Sequence, residues 1–527
     1  MLHSMRLRNL RSFSGDEKSP YVDLKPLTVL VGKNSSGKSS FLRSLPLLRQ
    51  SVEAKTSGPI LWYGSYVDFG AFSEAKIYDS NVDTIFFGFK LTIKIDKGDS
   101  FYYQNYLMEK SPELDTIDID VEIGVGESAK KTVANSVKLK LGEFEYLFKF
   151  HPIGKCSLTI NNKEEFSQEN LSYIPGDKFI PHIGRFQKFD REIAGKKQSY
   201  QRFDMDFLNE HFSEKSKTFL ENYFHPSTAE DTIIEGIKRI GVCGRKDIKA
   251  ELRNVFRKNS SLLKNIDHKW KEIENPAYAF LTHKNLTKII QGVNNELENT
   301  FKSVRYIAPL RATAERYYRH QDLQIDEIDH TGSNLAMLLR SFSPTENERF
   351  SNWTTDNFGF KVRVEELGLH YALKVQTEND SREYNINDMG FGFSQILPIV
   401  ASIWMETNAR RNRPRRTRLN RFIFAIEQPE LHLHPEYQSK LTKMFAGVVK
   451  AAKESEIELV ILFETHSKTM IDTLGDCIES RLLNQNDVNI VIFEKELGES
   501  STMVSFSKFD ALGNLLQWPI GFFSGRA

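Results

Sequence analysis

Two stretches of this sequence place reactive residue types at spacings that can do chemistry. "GKNSSGKS", Gly32 to Ser39, runs glycine, four residues, glycine, lysine, serine, the order of a phosphate-binding loop. It follows the apolar run "LTVLVG" and opens the helically spaced "SFLRSLPLLRQ", in which Pro46 is a candidate kink. Gly32 and Gly37 let backbone N–H groups turn inward on an anion, and the helix start adds partial positive charge. In such a loop Lys33, Asn34, Ser35, Ser36 and Ser40 line or flank the phosphates. Lys38 reaches the β and γ phosphates, and the Ser39 hydroxyl ligates Mg²⁺. ATP with Mg²⁺ is therefore the expected cofactor pair.

The second stretch, "FIFAIEQPELHLHP" from Phe422 to Pro435, admits three readings. His432 and His434 suggest a transition-metal site, and Glu427 with Glu430 suggests a glycosidase-type acid pair. Alternatively, Glu427 is the acid that ends a nucleotide-binding strand. The phosphate loop favours the third, because it needs a partner strand ending in an acid near the magnesium. Pro429 and Pro435 bracket the histidines in a loop, where structural or inter-subunit contacts suit them better than metal. No sugar-binding context accompanies the carboxylates.

Elements must hold these residues, and the chain has room for several. Its 527 residues exceed one ordinary core and predict two to four folded units. "RFIFAI" and "ELVILF" read as buried strands of parallel-sheet type, "NIVIFEKE" as a further strand, and "GFGFSQILPIVASIWMETNA" as an apolar helix. Between the two ends lie alternating β patterns such as "VKLKLGEFEYLFKF", then helical patterns such as "TIIEGIKRI". The expected division is 1–82, 83–201 as a β-rich lobe, 202–302 as a helical insertion, and 303–527. The fold class is α/β, with a mixed or parallel nucleotide-binding sheet.

Composition narrows the classes further. Lys plus Arg number 71 and Asp plus Glu 70, so the formal charge of +1 points toward no partner as a whole. Cys156, Cys243 and Cys477 form no CxxC pair and suggest neither a disulfide framework nor a thiolate zinc site. The opening "MLHSMRLRNLRSF" alternates as a strand does, without a signal-peptide core, and no run is long enough to span a bilayer. No membrane partner is expected, and the cytoplasm is the expected location.

These segments together resemble ABC-type ATPases of the SMC and OLD-like group. "IEQPELHLHPEYQSKL" is similar to their Walker B and D-loop segment, "LFETHSKTMIDTL" to their switch-histidine segment, and "INDMGFGFSQILPIV" to their signature segment. "MRLRNLRSF" resembles their opening strand, with Arg11 at the basic position that approaches the nucleotide. "YGSYVDFGAF", "RYIAPLRATAERYY" and "WPIGFF" resemble further pieces of one bacterial subgroup. The resemblance implies an ABC-type ATPase head, with Glu427 and Ser39 on the metal and His466 sensing the γ phosphate. It also implies that Gly390, Gly392 and Ser394 complete a second subunit's site in a head-to-tail homodimer or higher assembly, Ser394 capping its helix. The sequence departs from the pattern at Gln428, where many relatives carry a second glutamate that polarises water. Glutamine orients water but cannot take its proton. Glu430 or Glu464 is then the candidate base, or turnover is slow.

The run "ARRNRPRRTRLNR", Ala409 to Arg421, carries seven arginines and no acid. It suits a phosphate backbone as well as it suits a solvated loop. About sixty residues follow His466, too few for the TOPRIM nuclease domain of OLD-like nucleases. The expectation is therefore a separate HNH-type nuclease subunit, as in the PtuA-type ATPases of Septu and some retron anti-phage systems. In the retron systems a reverse transcriptase and its RNA–DNA product join as well. The alternative is a stand-alone ATPase acting on nucleic acid in repair or recombination.

Overall fold

The computed structural model describes residues 1–54, 56, 58–78, 80, 82–96, 114–176, 178–193, 196–319, 325, 327–378, 380–407, 421–495 and 501–517. The chain divides into two compact units. One comprises Met1–Leu2, Thr56–Pro59 and Gly88–Glu298, the other His3–Lys55, Ile60–Phe87 and Asn299–Ala527.

The second of these units is built on a seven-stranded sheet. Its order is Val304–Ile307, Arg421–Glu427, Glu458–Glu464, Leu27–Gly32, Val488–Glu494, Met503–Phe509 and Leu515–Leu516. The first five strands are parallel and the last two join antiparallel. Parallel strands are covered on both faces, and that is why these runs read as continuous apolar stretches. All of Leu27–Gly32 is buried, as is the strand from Phe422 to Glu427. Helices Lys38–Glu53, Phe391–Thr407, Pro435–Glu454 and Lys468–Glu479 accompany the sheet. Val29, Val31, Phe424, Ile426, Ile461, Phe463 and Ile490 share one apolar cluster with Leu397, Val400 and Phe445 of the helices.

The helix after the phosphate loop runs without a break through Pro46. The helix Phe391–Thr407 is buried all along from Ser394 to Glu406, consistent with its nearly unbroken apolar sequence. A small antiparallel sheet, Phe360–Leu367 with His370–Thr377 and short strands at Tyr318–Arg319 and Tyr384–Asn385, belongs to the same unit. This mixed α/β architecture, with its largely parallel sheet, is the fold class that the sequence predicts.

The other unit is an antiparallel meander followed by helices. Leu114–Ser128, Lys131–Leu141, Phe144–His151, Lys155–Ile160, Lys163–Ile174, His182–Ile193 and Lys196–Asp204 each pair with the next. Two of its hairpins close through two-residue turns with positive φ at both positions, Ala129–Lys130 and Asn161–Asn162. Such turns match the right-handed twist of the strands they join. The helices from Phe207 onward bury a separate apolar cluster that includes Leu220, Ile237, Leu252, Ile266 and Leu281. No helix among the described residues is long and apolar enough to cross a membrane.

One buried polar pair in this unit carries a pH signature. The Tyr146 hydroxyl meets His283 Nδ1 at 2.8 Å, and burial pushes the His283 imidazole down to about 4. A neutral ring accepts the tyrosine proton, whereas a charged one has no lone pair to offer. Unfolded histidine keeps its ordinary value of 6.5, above the folded one. The stability from this group is therefore fully present above about 6.5 and is lost as pH falls toward 4, at most about 1.4 kcal/mol per pH unit. Urea unfolding at pH 7.5 and pH 5 is expected to show a lower midpoint at pH 5 (two conditions of measurement), and His283→Gln is expected to flatten that difference.

Candidate functional site

The phosphate loop begins where the Leu27–Gly32 strand ends. Gly32 has φ 152° and Gly37 φ 102°, both outside the range that side chains favour, and Ser35 also has positive φ. Lys33, Asn34 and Ser35 are exposed, Ser36 and Lys38 are buried, and Ser39 and Ser40 are half-buried at the helix start. Lys38 Nζ curls over the loop and donates to the carbonyls of Gly32 at 2.9 Å and Lys33 at 2.8 Å. Burial lowers the Lys38 ammonium, while Glu464 and Glu430 pull it back up. Thr502 ties the loop down: its hydroxyl donates to the Ser36 carbonyl at 2.9 Å, and its N–H donates to the Ser12 carbonyl at 2.7 Å.

Parallel register places the acids. Glu427 and Glu464 are direct partners at the C-terminal ends of their strands, and Leu30 pairs with Glu464 on its other side. The Ser39 hydroxyl donates to Glu464 Oε2 at 2.7 Å. Glu427 instead takes both arms of Arg43, Nε at 2.7 Å and Nη2 at 2.8 Å, and the Tyr306 hydroxyl at 2.6 Å. Its backbone carbonyl accepts from Arg311 Nη2 at 2.9 Å. Ser39 and Glu427, the two residues expected to share a metal, thus have different partners here. Burial raises the Glu464 carboxyl, the Ser39 bond works against that, and the charge of Glu427 adds to it. The bonds to Glu427 raise the proton affinity of Arg43, and burial lowers that of Arg311, which stays charged.

The Gln428 backbone sits at φ 41° with its N–H on the Glu464 carbonyl, so the chain turns sharply after the strand. Glu430 Oε1 accepts the His466 N–H at 2.7 Å, which joins the acid-rich turn to the segment after the Glu458–Glu464 strand. Burial raises the Glu430 carboxyl, and its Oε2 has no partner among the described residues. His432 and His434 are both exposed. His434 Nδ1 accepts the Glu436 N–H and caps the Pro435–Glu454 helix, and the His432 ring lies 6.0 Å from that of Phe391. Each imidazole thus has a structural neighbour, as their loop position suggested.

Two expected site residues, Arg11 and Ser394, are partnered otherwise than expected. Arg11 turns to Phe69, donating to its carbonyl at 3.1 Å and lying over its ring, rather than to the phosphate loop. Ser394 is not a helix cap: it lies one turn inside Phe391–Thr407, and its hydroxyl donates back to the Phe391 carbonyl at 2.8 Å. Its position four residues into the helix puts an acceptor carbonyl, not a free N–H, within its reach. Gly390, at φ 78°, has open space where a Cβ would be, and a Cβ on Gly392 would meet only the His432–Leu433 turn. Of the arginine run, residues 409–420 lie outside the described residues, as does "WPIGFF". Arg421 is paired with Glu458 and with Thr300.

Sequence reasoning assigned no role to Arg43, Tyr306, Arg311 or Thr502. Arg43 had a signal: it lies four residues beyond Ser39, on the same helical face. Ser39 and the adjacent carboxylates are hard oxygen donors of the kind Mg²⁺ takes alongside phosphate oxygens, and they fit that ion.

A family model described as AAA ATPase domain matches residues 1–471. No curated protein matches the chain. Among solved structures the chain is similar to an Smc head bound to the C-winged helix domain of ScpA, at 10% identity over 96% of this chain and 97% of that one, TM-score 0.34. It is similar to an Smc head domain with an extended coiled coil, bound to the C-terminal domain of ScpA, from Pyrococcus furiosus. There the identity is 11% over 96% of each chain, TM-score 0.32. A third is an Smc head domain with a coiled coil and joint from Pyrococcus yayanosii, at 10% identity over 97% of each chain, TM-score 0.34.

The tight end of the loop strand yields a test. A Cβ on Gly32 would stand 2.2 Å from the Phe493 carbonyl oxygen, a backbone atom that cannot swing aside. Gly32→Ala is expected to destabilise the protein by about 2 kcal/mol or more, read as a lower urea midpoint.

Proposed function

Because the chain belongs to the AAA ATPase domain family, we propose that it binds and hydrolyses ATP as the regulatory subunit of a bacterial anti-phage defence complex, gating a separate nuclease subunit. The observation that carries the ATP reading is the convergence of one loop with two acids. Lys38 feels Glu464 and Glu430, Ser39 binds Glu464, and Glu430 holds the backbone of the histidine segment. The triphosphate would lie along the loop N–H groups, with Lys38 released from its own carbonyls to the β and γ phosphates. Mg²⁺ would supply charge neutralisation there, beside the Ser39 hydroxyl and a strand-end carboxylate. His466 faces the γ phosphate in this reading, and Glu430 steadies it.

Gln428 supports a switch over a fast engine. It offers no base, and its amide orients water at best. Of the carboxylates near the site, Glu430 has an unpartnered oxygen and a raised proton affinity, the properties of a candidate base. ATP would then stabilise a head-to-tail assembly completed by Gly390, Gly392 and Ser394 of a neighbouring subunit, and slow turnover would set how long it stays closed. The gated nuclease and the retron-type reverse transcriptase with its RNA and DNA rest on the sequence resemblance. The second reading, a stand-alone ATPase on nucleic acid in repair or recombination, is favoured by the arginine run from Arg410 to Arg421.

Two measurements test this function. Gln428→Glu is expected to change ATP turnover by about tenfold or more with little effect on nucleotide affinity, and unchanged turnover would put the catalytic group elsewhere. Native mass of the tagged protein from its own cells, with and without nuclease treatment, is expected to reveal an assembly containing a small nuclease. A bare homodimer whose ATPase rate rises with DNA would overturn the defence reading.

A further inference from the structure

We propose that the hairpin of His182–Ile193 and Lys196–Asp204 binds single-stranded nucleic acid, stacking bases on its exposed aromatic pairs and holding phosphates with the cations beside them. This hairpin belongs to the unit that lacks the phosphate loop, so the site stands or falls independently of ATP. Among the described residues its first strand pairs with Lys163–Ile174 over His182–Gly184 alone. From Arg185 to Ile193 it pairs with Lys196–Asp204, residue for residue. The result is a two-stranded ribbon of roughly 30 Å.

A two-stranded ribbon has no core to fill, so large apolar side chains on it face water. Here Phe186, Phe189 and Tyr200 are 43%, 46% and 37% exposed. Strand alternation distributes them over both faces. Phe189 sits opposite Tyr200, their rings stacked at 5.7 Å, on the face that carries Gln187 and Arg202. Phe186 sits opposite Phe203, their rings edge to face at 5.0 Å, on the face that carries Lys188 and Gln201. Cross-strand aromatic pairs steady a ribbon by themselves. What marks these two is their company: each face sets a cation two residues from its aromatic pair, about 7 Å along the strand.

Charge favours the same ligand. Lys188 and Arg202 are exposed, and neither has an acidic partner among the described residues. Asp204 is taken up by the Gln187 amide at 2.8 Å and by the Asp206 N–H at 2.9 Å. From His182 to Asp204 the sequence holds six Lys and Arg against three Asp and Glu, in a chain whose formal charge is only +1. A nucleobase offers a π face that stacks on an aromatic ring whatever its identity, and its phosphate carries the charge that a nearby cation takes. A duplex keeps its base faces inside the stack, so exposed rings select unpaired strands. The Arg410–Arg421 run has the charge without the aromatics. A protein interface instead gathers its aromatics into one patch depleted in lysine, whereas these pairs lie on opposite faces and one adjoins Lys188.

The test titrates the full chain into fluorescein-labelled oligothymidine and into a labelled duplex of the same length, read by fluorescence anisotropy over a range of salt. The single strand is expected to bind, with affinity falling as salt rises. Phe189→Leu with Tyr200→Leu keeps an apolar cross-strand contact but removes the π faces, and is expected to weaken strand binding by about tenfold or more and duplex binding far less. Lys188→Gln with Arg202→Gln is expected to lower the slope of log affinity against log salt by about one. Both cations are exposed, so this second variant decides the matter should the first fail to fold. Unchanged strand affinity in the folded aromatic variant, an equal loss on strand and duplex, an unchanged salt slope in the second variant, or no strand binding at the lowest salt would overturn the proposal. A protein partner held by the wild type and lost by the aromatic variant, with no strand bound, would assign the ribbon to protein docking instead.

Discussion

Parallel pairing sets Glu427 of one strand opposite Glu464 of the next, with both side chains almost fully buried. Two like charges in adjacent buried positions repel strongly, because little water screens them. The surrounding structure answers by giving them different partners. A guanidinium, a phenol and a backbone-bound arginine gather around Glu427, and a serine hydroxyl meets Glu464. The phosphate-loop helix provides a partner for each, so the position of that helix and the charge state of the strand ends are one problem with one solution.

The parts of the fold set by burial were legible, and the parts set by long-range polar contacts were not. Apolar runs such as "LTVLVG", "RFIFAI" and "ELVILF" could be read as parallel strands because covering both faces leaves no room for alternation. The phosphate loop was legible because glycine spacing and its strand–helix context coincide. Tyr306 and Arg311 were not, since nothing local in "RYIAPLRATAERYY" says that they meet an acid more than a hundred residues away. The small sheet around His370–Thr377 also escaped notice, its strands being half exposed and weakly patterned. Ser394 shows the limit of cap signals: a serine near a helix start caps only if the chain enters at that residue, and here the helix begins three residues earlier.

The acid-rich turn after the strand is equally a packing device. Glu430 reaches the backbone of His466, and Ser467 next to it bonds Gln438 while capping its own helix. The turn, the Pro435–Glu454 helix and the Lys468–Glu479 helix are therefore tied at their beginnings. A displacement of His466 is felt at Glu430, one turn from the strand-end acids. That linkage is short and made of direct hydrogen bonds, the kind of contact with discrete arrangements that suits a two-state element.

Thr502 holds the phosphate loop through the Ser36 carbonyl, 466 positions away in the chain. The loop strand itself is flanked by Glu458–Glu464 and Val488–Glu494, both distant from it in the chain. During synthesis the loop residues are made hundreds of residues before the strands and the threonine that shape them. Non-local pairing of this kind is slow to form, and it cannot begin before its partners leave the ribosome. A nascent chain therefore carries the loop long before the loop can take its final shape, and that shape becomes a late mark that the sheet around it has been built.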